Sequence, residues 1–265
     1  MSIEIYPSEL KQRYLIGDKL GEGGMGAVFR CLDQQTRQEW AVKFLNVDQL
    51  VSTSGKQRFL HEAKILRYLR HPNVVHIHDY GVEEGIPFLI MELCLNQHGS
   101  PFTLAQLQDQ YENRRLPAEE ITHLLPQILS AVGMLHQHGL IHRDLKPENF
   151  LLQADDAFTL TPKLSDFGLV ALTGNEIDRQ SFDMSISIDD QDQAARDKAW
   201  VGTYAYMSPE QRKGGALDAS SDVYSLGLIL YRLATGFERL NPELPSEVNP
   251  DLPVWVDSIV EKALA

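Results

Sequence analysis

Cysteine is nearly absent from this chain of 265 residues, which carries only Cys31 and Cys94. They lie far apart and lack metal-ligand spacing, which argues against a disulfide framework or a cysteine-based metal site and points to a reducing cytoplasm. Basic residues are also scarce: 24 Lys and Arg stand against 37 Asp and Glu, for a formal charge of −13 and a pI near 5.1. That balance argues against general affinity for nucleic acid or an anionic membrane. No run approaches the roughly 20 apolar residues that cross a bilayer, so no membrane segment is expected within this chain. The opening Met-Ser-Ile-Glu-Ile-Tyr-Pro has neither the basic start nor the apolar run of a signal peptide. Repeats and low-complexity tracts are missing too. The single irregular region is polar, at 173–198, and within it residues 176–197 hold seven acids against two arginines. What remains is 43% hydrophobic, ample for the core of one large domain or of two lobes.

The most informative stretch is 142–149, His-Arg-Asp-Leu-Lys-Pro-Glu-Asn. In eight residues it offers a carboxylate, Asp144, to orient a hydroxyl and accept its proton, and a cation, Lys146, for a transferring phosphoryl group. It adds an amide oxygen on Asn149 for a magnesium ion, and Arg143 to pair with an outside anion. Phosphoryl transfer is accelerated mainly by positioning and charge neutralisation, and this set supplies both.

Upstream, apolar β-type residues flank Gly21-Glu-Gly-Gly-Met-Gly-Ala-Val28 and read as two strands joined by a glycine turn. Gly21, Gly23 and Gly26 lack the Cβ atoms that keep backbone amides away from a polyphosphate. Such hairpins are common, so the pattern needs its neighbours. Trp40-Ala-Val-Lys43-Phe-Leu is strand-like with one lysine among apolar residues, either a snorkelling edge lysine or a phosphate ligand fixed by a carboxylate. Glu62 can supply that carboxylate from a helix opened by the capping box Ser54-Gly-Lys-Gln57, unless it is simply a solvated helix glutamate. His71, His76 and His78 invite a metal reading, with alternation placing His76 and His78 on one face of a strand, but no cysteine or carboxylate completes a shell and structural histidines are expected. Pro117 reads as the first residue of a long helix with a kink at Pro126.

Taken with Lys163-Leu-Ser-Asp166-Phe-Gly168 and Gly202-Thr203-Tyr-Ala-Tyr-Met-Ser208-Pro-Glu210, these motifs closely resemble the eukaryotic-like protein kinase family. The Lys146-Pro-Glu-Asn149 wording resembles its serine/threonine branch, and the wording around Ser208 resembles bacterial members. The resemblance implies an α+β, bilobal fold: an N-lobe (14–91) with an antiparallel sheet plus one helix, a hinge (92–96), and a mainly helical C-lobe (97–265), with residues 1–13 an extension. It implies ATP between the lobes, with Mg2+ or Mn2+, and transfer to Ser or Thr hydroxyls of proteins, a second copy of the chain included. By the same resemblance Gly21, Gly23, Gly26, Val28, Ala41, Lys43, Met91, Glu92, Cys94 and Leu151 contact the nucleotide. Met91 limits the adenine pocket, and the backbone of Glu92 and Cys94 meets the adenine edge. Lys43 and Glu62 form an ion pair in the active state, Asn149 and Asp166 hold the metal, Phe167 packs toward the helix of Glu62, and Thr203 bridges Asp144 and Lys146. Asp222 holds the catalytic-loop backbone from a buried helix.

Two departures stand out. Relatives carry phosphorylatable threonines shortly before the Gly-Thr pair, whereas here no Ser or Thr lies between Ser187 and Thr203. Either Asp197, another acid of the loop, or phosphate at Ser181, Ser185 or Ser187 is then the anion for Arg143, or the segment is simply a disordered acidic loop. The chain also ends at Ala265, during a helix expected at 254–264 and before the arginine that normally meets Glu210, so either a piece of a longer protein or an atypical, less stable lower lobe is expected. Two rivals are an ATP-dependent pseudokinase module, which predicts a lost catalytic residue where none is lost, and a small-molecule phosphotransferase, which lacks the platform at 202–210.

Overall fold

The structure, a computed structural model, describes residues 6–23, 26–45, 53–155, 159–166, 171–172 and 204–265. The side chains at 53–58, 62, 171 and 172 are outside that description. Phe167, Gly168, Asp197, Thr203, the serines at 181, 185 and 187, and the Glu62 carboxylate therefore lie outside it as well. The chain divides into two compact units, Met1–His71 with Val75–Pro101, and Pro72–Val74 with Phe102–Ala265.

The first unit is one antiparallel sheet of six strands plus a helix. In chain order these are β1 (Glu9–Leu10), β2 (Tyr14–Gly23), β3 (Gly26–Asp33), β4 (Glu39–Leu45), helix α1 (Thr53–Tyr68), β5 (Ile77–Glu83) and β6 (Ile86–Met91). The spatial order is β1-β2-β3-β4-β6-β5. The near-continuous apolar run of β4 suits a central strand, and Trp40, Ala41, Val42, Lys43 and Phe44 are all buried. Alternation then sorts the side chains. Phe29, Cys31, Trp40, Val42, Phe44, Phe88 and Ile90 form one face's core, closed by residues from Tyr6 to Tyr14. Leu10 and Tyr14 are fully buried there, and the Tyr6 ring lies 5.1 Å from Phe29 and 4.9 Å from Phe44. Lys11 Nζ donates to Asp79 Oδ2 and to the Tyr80 carbonyl, both at 2.9 Å. Tyr6 and Leu10, which precede Tyr14, are thus packed into this unit's core.

Three expectations shift by a residue. Helix α1 starts at Thr53, so Ser54 lies inside the helix rather than before it. Strand β5 starts at Ile77, leaving His76 just outside; His78 instead stacks on Trp40 at 4.2 Å, and burial pushes both imidazole pKa values down, that of His76 to about 4. No metal-binding cluster of His, Cys, Asp or Glu occurs among the described residues.

The second unit is mainly helical. Helix α2 (Leu104–Asp109) is closed by a Thr103–Gln106 capping box, and α3 spans Ala118–Gln137. Pro117 is the cap of α3 (ψ 151°) rather than its first turn. The helix continues through Pro126, where Leu124, Leu125 and Ile128 are buried and tertiary packing offsets the hydrogen bond that proline removes. Short strands follow: β7 (Leu140–Ile141) pairs with β10 (Ala171–Leu172), and β8 (Phe150–Ala154) with β9 (Leu160–Leu164). The remaining helices are α4 (Pro209–Arg212), α5 (Ala219–Thr235), α6 (Pro245–Val248) and α7 (Trp255–Ala263). Helix α5 starts on the Asp218 carboxylate and stops at Gly236, whose φ of 75° suits glycine. No helix among the described residues is long and apolar enough to cross a membrane.

Candidate active site

In the first unit the sheet register brings predicted nucleotide residues onto one face. Gly21 opposes Val28, Val28 opposes Lys43, and Ala41 opposes Met91. This face is opposite the Phe29–Val42–Ile90 core, since side chains alternate. Lys43 is buried, with 6% of its surface exposed. The glycines differ in what demands them. Gly26 has φ 136°, and a Cβ there would sit 1.8 Å from the Phe44 carbonyl oxygen, so the sheet itself requires glycine. A Cβ on Gly21 or Gly23 would meet nothing within 4 Å among the described residues. Past β6, the Glu92 amide donates to the His76 carbonyl at 2.8 Å, and Cys94 is buried.

In the second unit the residues of 142–149 converge. Lys146 Nζ lies 2.9 Å and 3.2 Å from the two carboxylate oxygens of Asp144. Asn149 Nδ2 donates to the Asp144 carbonyl at 2.6 Å and to its Oδ2 at 3.2 Å. Asp144 is almost fully buried, so its charge is held by an ammonium and an amide rather than by water. With its nitrogen turned to Asp144, the Asn149 amide directs its oxygen the other way, and oxygen is the donor that a hard divalent cation prefers.

The loop backbone is clamped by a carboxylate. Asp222 on α5, 1% exposed, accepts from the His142 amide at 2.8 Å and the Arg143 amide at 2.9 Å, and lies 2.8 Å from His136 Nε2. Arg143 is held at φ 69°, a conformation that costs a side-chain-bearing residue of order 1 kcal/mol or more and persists because its neighbours fix it. The fully buried His142 is 3.1 Å from the Ser165 carbonyl, and burial pushes its pKa down. Ser165 donates to the Asn149 carbonyl through both its amide (2.8 Å) and its hydroxyl (2.9 Å), tying Asp166, at φ 67°, to the same loop. Leu151 on β8 is partly exposed. Where an arginine is expected to meet Glu210, Ser221 Oγ donates to its carboxylate at 2.5 Å; no arginine pairs with it among the described residues.

The protein kinase domain family matches residues 14–248. The chain belongs to that family. Similar members are bacterial: serine/threonine-protein kinase PknB of Mycobacterium leprae is 32% identical over 98% of this chain and 40% of its own length. The DNA damage-responsive serine/threonine-protein kinase RqkA of Deinococcus radiodurans is 37% identical over 86% of this chain and 30% of its own. The chain therefore spans well under half the length of these kinase relatives. Among solved structures, the kinase domain of Mycobacterium tuberculosis PknI covers 98% of this chain and 91% of its own with a TM-score of 0.71 at 24% identity, a likeness of fold. The expected α+β kinase fold, an antiparallel sheet with one helix followed by a mainly helical part, is borne out.

Sequence reasoning missed His136, Ser165, Ser221 and Gln211. The last had a signal, because Ser208-Pro-Glu-Gln211 has the spacing of a capping box. The other three are ordinary polar residues whose partners lie 11 to 86 positions away.

Proposed function

We propose that this chain transfers the γ-phosphoryl group of ATP to serine or threonine hydroxyls of proteins, a second copy of itself included, in the cytoplasm. The observation that carries this reading is the Asp144–Lys146–Asn149 cluster on a backbone clamped by Asp222. Gly21, Gly23, Gly26, Val28, Ala41, Met91 and the backbone of Glu92 and Cys94 hold the nucleotide, with Leu151 against its base. No contact among the described residues demands glycine at positions 21 and 23, but close approach of backbone amides to phosphate does. Lys43, paired with Glu62, neutralises phosphate oxygens, and Asn149 and Asp166 supply oxygen ligands suited to Mg2+. When bound, the metal neutralises charge on the phosphates and orients the γ-group for in-line attack.

Asp144 accepts the hydroxyl proton of the acceptor as the new P–O bond forms and the bond to the β-phosphate oxygen breaks. Lys146, held against Asp144, meets the charge on the moving phosphoryl group, and Thr203 bridges the two. Asp197, or phosphate on Ser181, Ser185 or Ser187, serves as the anion for Arg143. The test is mass spectrometry of the chain after incubation with Mg-ATP and a generic acceptor protein, beside Asp144→Asn. Phosphoserine or phosphothreonine that vanishes in the variant is expected. ATP binding without any phosphate transfer would instead make the chain a nucleotide-dependent binding module.

A further inference from the structure

Gln211 is 2% exposed and uses both ends of its amide. Its oxygen accepts from the Ser208 amide at 2.9 Å while the Ser208 hydroxyl accepts from the Gln211 amide at 3.3 Å, which completes the cap of α4. Its nitrogen, Nε2, then donates to the Arg143 carbonyl oxygen at 2.7 Å. The two contacts fix the amide's orientation, because a flipped side chain would face oxygen with oxygen and N–H with N–H. The Arg143 carbonyl belongs to the peptide that leads directly into Asp144. The residue at its start, Arg143, sits at φ 69° with its amide on Asp222. Capping alone would need only the oxygen.

We propose that Gln211 is a positioning residue: its Nε2–Arg143 carbonyl bond sets the peptide plane before Asp144, and so couples the Ser208–Gln211 turn to the aim of the proton acceptor. The inference rests on the kinase reading for its effect on rate, but not for the coupling itself. Lost alignment of a reacting group by even 1 Å costs up to about a hundredfold in rate, so a single hydrogen bond at this peptide is worth testing.

Two variants separate positioning from folding. Gln211→Met removes both contacts at similar volume. Gln211→Glu keeps the oxygen for Ser208 and can donate to Arg143 only when its carboxyl is protonated. The expected result for Gln211→Met is kcat lower by about tenfold to a hundredfold with KM for ATP within about twofold. The activity of Gln211→Glu relative to the parent chain should rise as pH falls from 9 to 6, while the ratio for Gln211→Met stays flat. Amide hydrogen exchange, read without nucleotide, should quicken at Arg143 and Asp144 in Gln211→Met under conditions where the core of α5 is unchanged. Exchange at those amides equal to the parent's overturns the coupling whether or not the chain proves to be a kinase. A parental kcat in Gln211→Met, or a flat pH ratio in Gln211→Glu, overturns its role in turnover. A parent chain that transfers no phosphate sinks the kinase reading, and the exchange result still decides the coupling.

Discussion

Replacing Asp222 gives the sharpest test of how the loop is held. The carboxylate is 1% exposed and accepts three donors, the amides of His142 and Arg143 and the ring of His136, at 2.8 to 2.9 Å. Asp222→Ala leaves two buried backbone N–H groups without an acceptor, each costing about 1–3 kcal/mol, for roughly 2–6 kcal/mol in all. Asp222→Asn keeps one acceptor oxygen and turns an NH2 toward the second amide, so about half that loss is expected, roughly 1–3 kcal/mol. With a domain stability of about 5–15 kcal/mol, both variants fold but unfold earlier. Urea titration should rank the midpoints parent, Asn, Ala, with the slope unchanged. Turnover should fall by at least about a hundredfold in Asp222→Ala, since the amides released are those that carry Asp144. If the Ala and Asn variants keep the parent's unfolding free energy within about 1 kcal/mol, the clamp does not hold the loop.

Two further outcomes follow from the first unit. The Asp33 carboxyl, fully buried, is bound by Arg13 at 2.6 Å and 3.0 Å and by Thr36 Oγ1 at 2.9 Å, and the Arg13 contact holds its pKa well below the usual carboxylate range. A depressed folded pKa means its contribution is fully present above about pH 4 and is lost as pH falls further, so acid titration of Asp33→Asn should show a shallower loss of stability below pH 4 than the parent. At the glycine turn, Gly26→Ala should unfold the first unit or cost several kcal/mol, whereas Gly21→Ala should leave the melting temperature within a few degrees and weaken ATP binding instead. A Gly21→Ala protein with parental nucleotide affinity would remove the phosphate role given to that loop.

The clustering of the candidate site was legible in the sequence because it is local: Asp144, Lys146 and Asn149 lie within six positions, and the structure brings their side chains together. The strands were legible for a similar reason, since each is a short local run of apolar and β-type residues, and alternation within a strand sorts its side chains onto two faces. Boundaries shifted by one residue at Thr53, Ile77 and Pro117, where capping and propensity act weakly and packing decides. What only the tertiary structure decided is which distant groups hold the local ones. Asp222 reaches 80 positions back to His142, Gln211 reaches 68 back to Arg143, and Ser221 donates to the Glu210 carboxylate. Such partners have no periodicity to announce them. A buried backbone amide or carbonyl must be satisfied, but any nearby polar side chain can do it, and only the packing of α4 and α5 selects these.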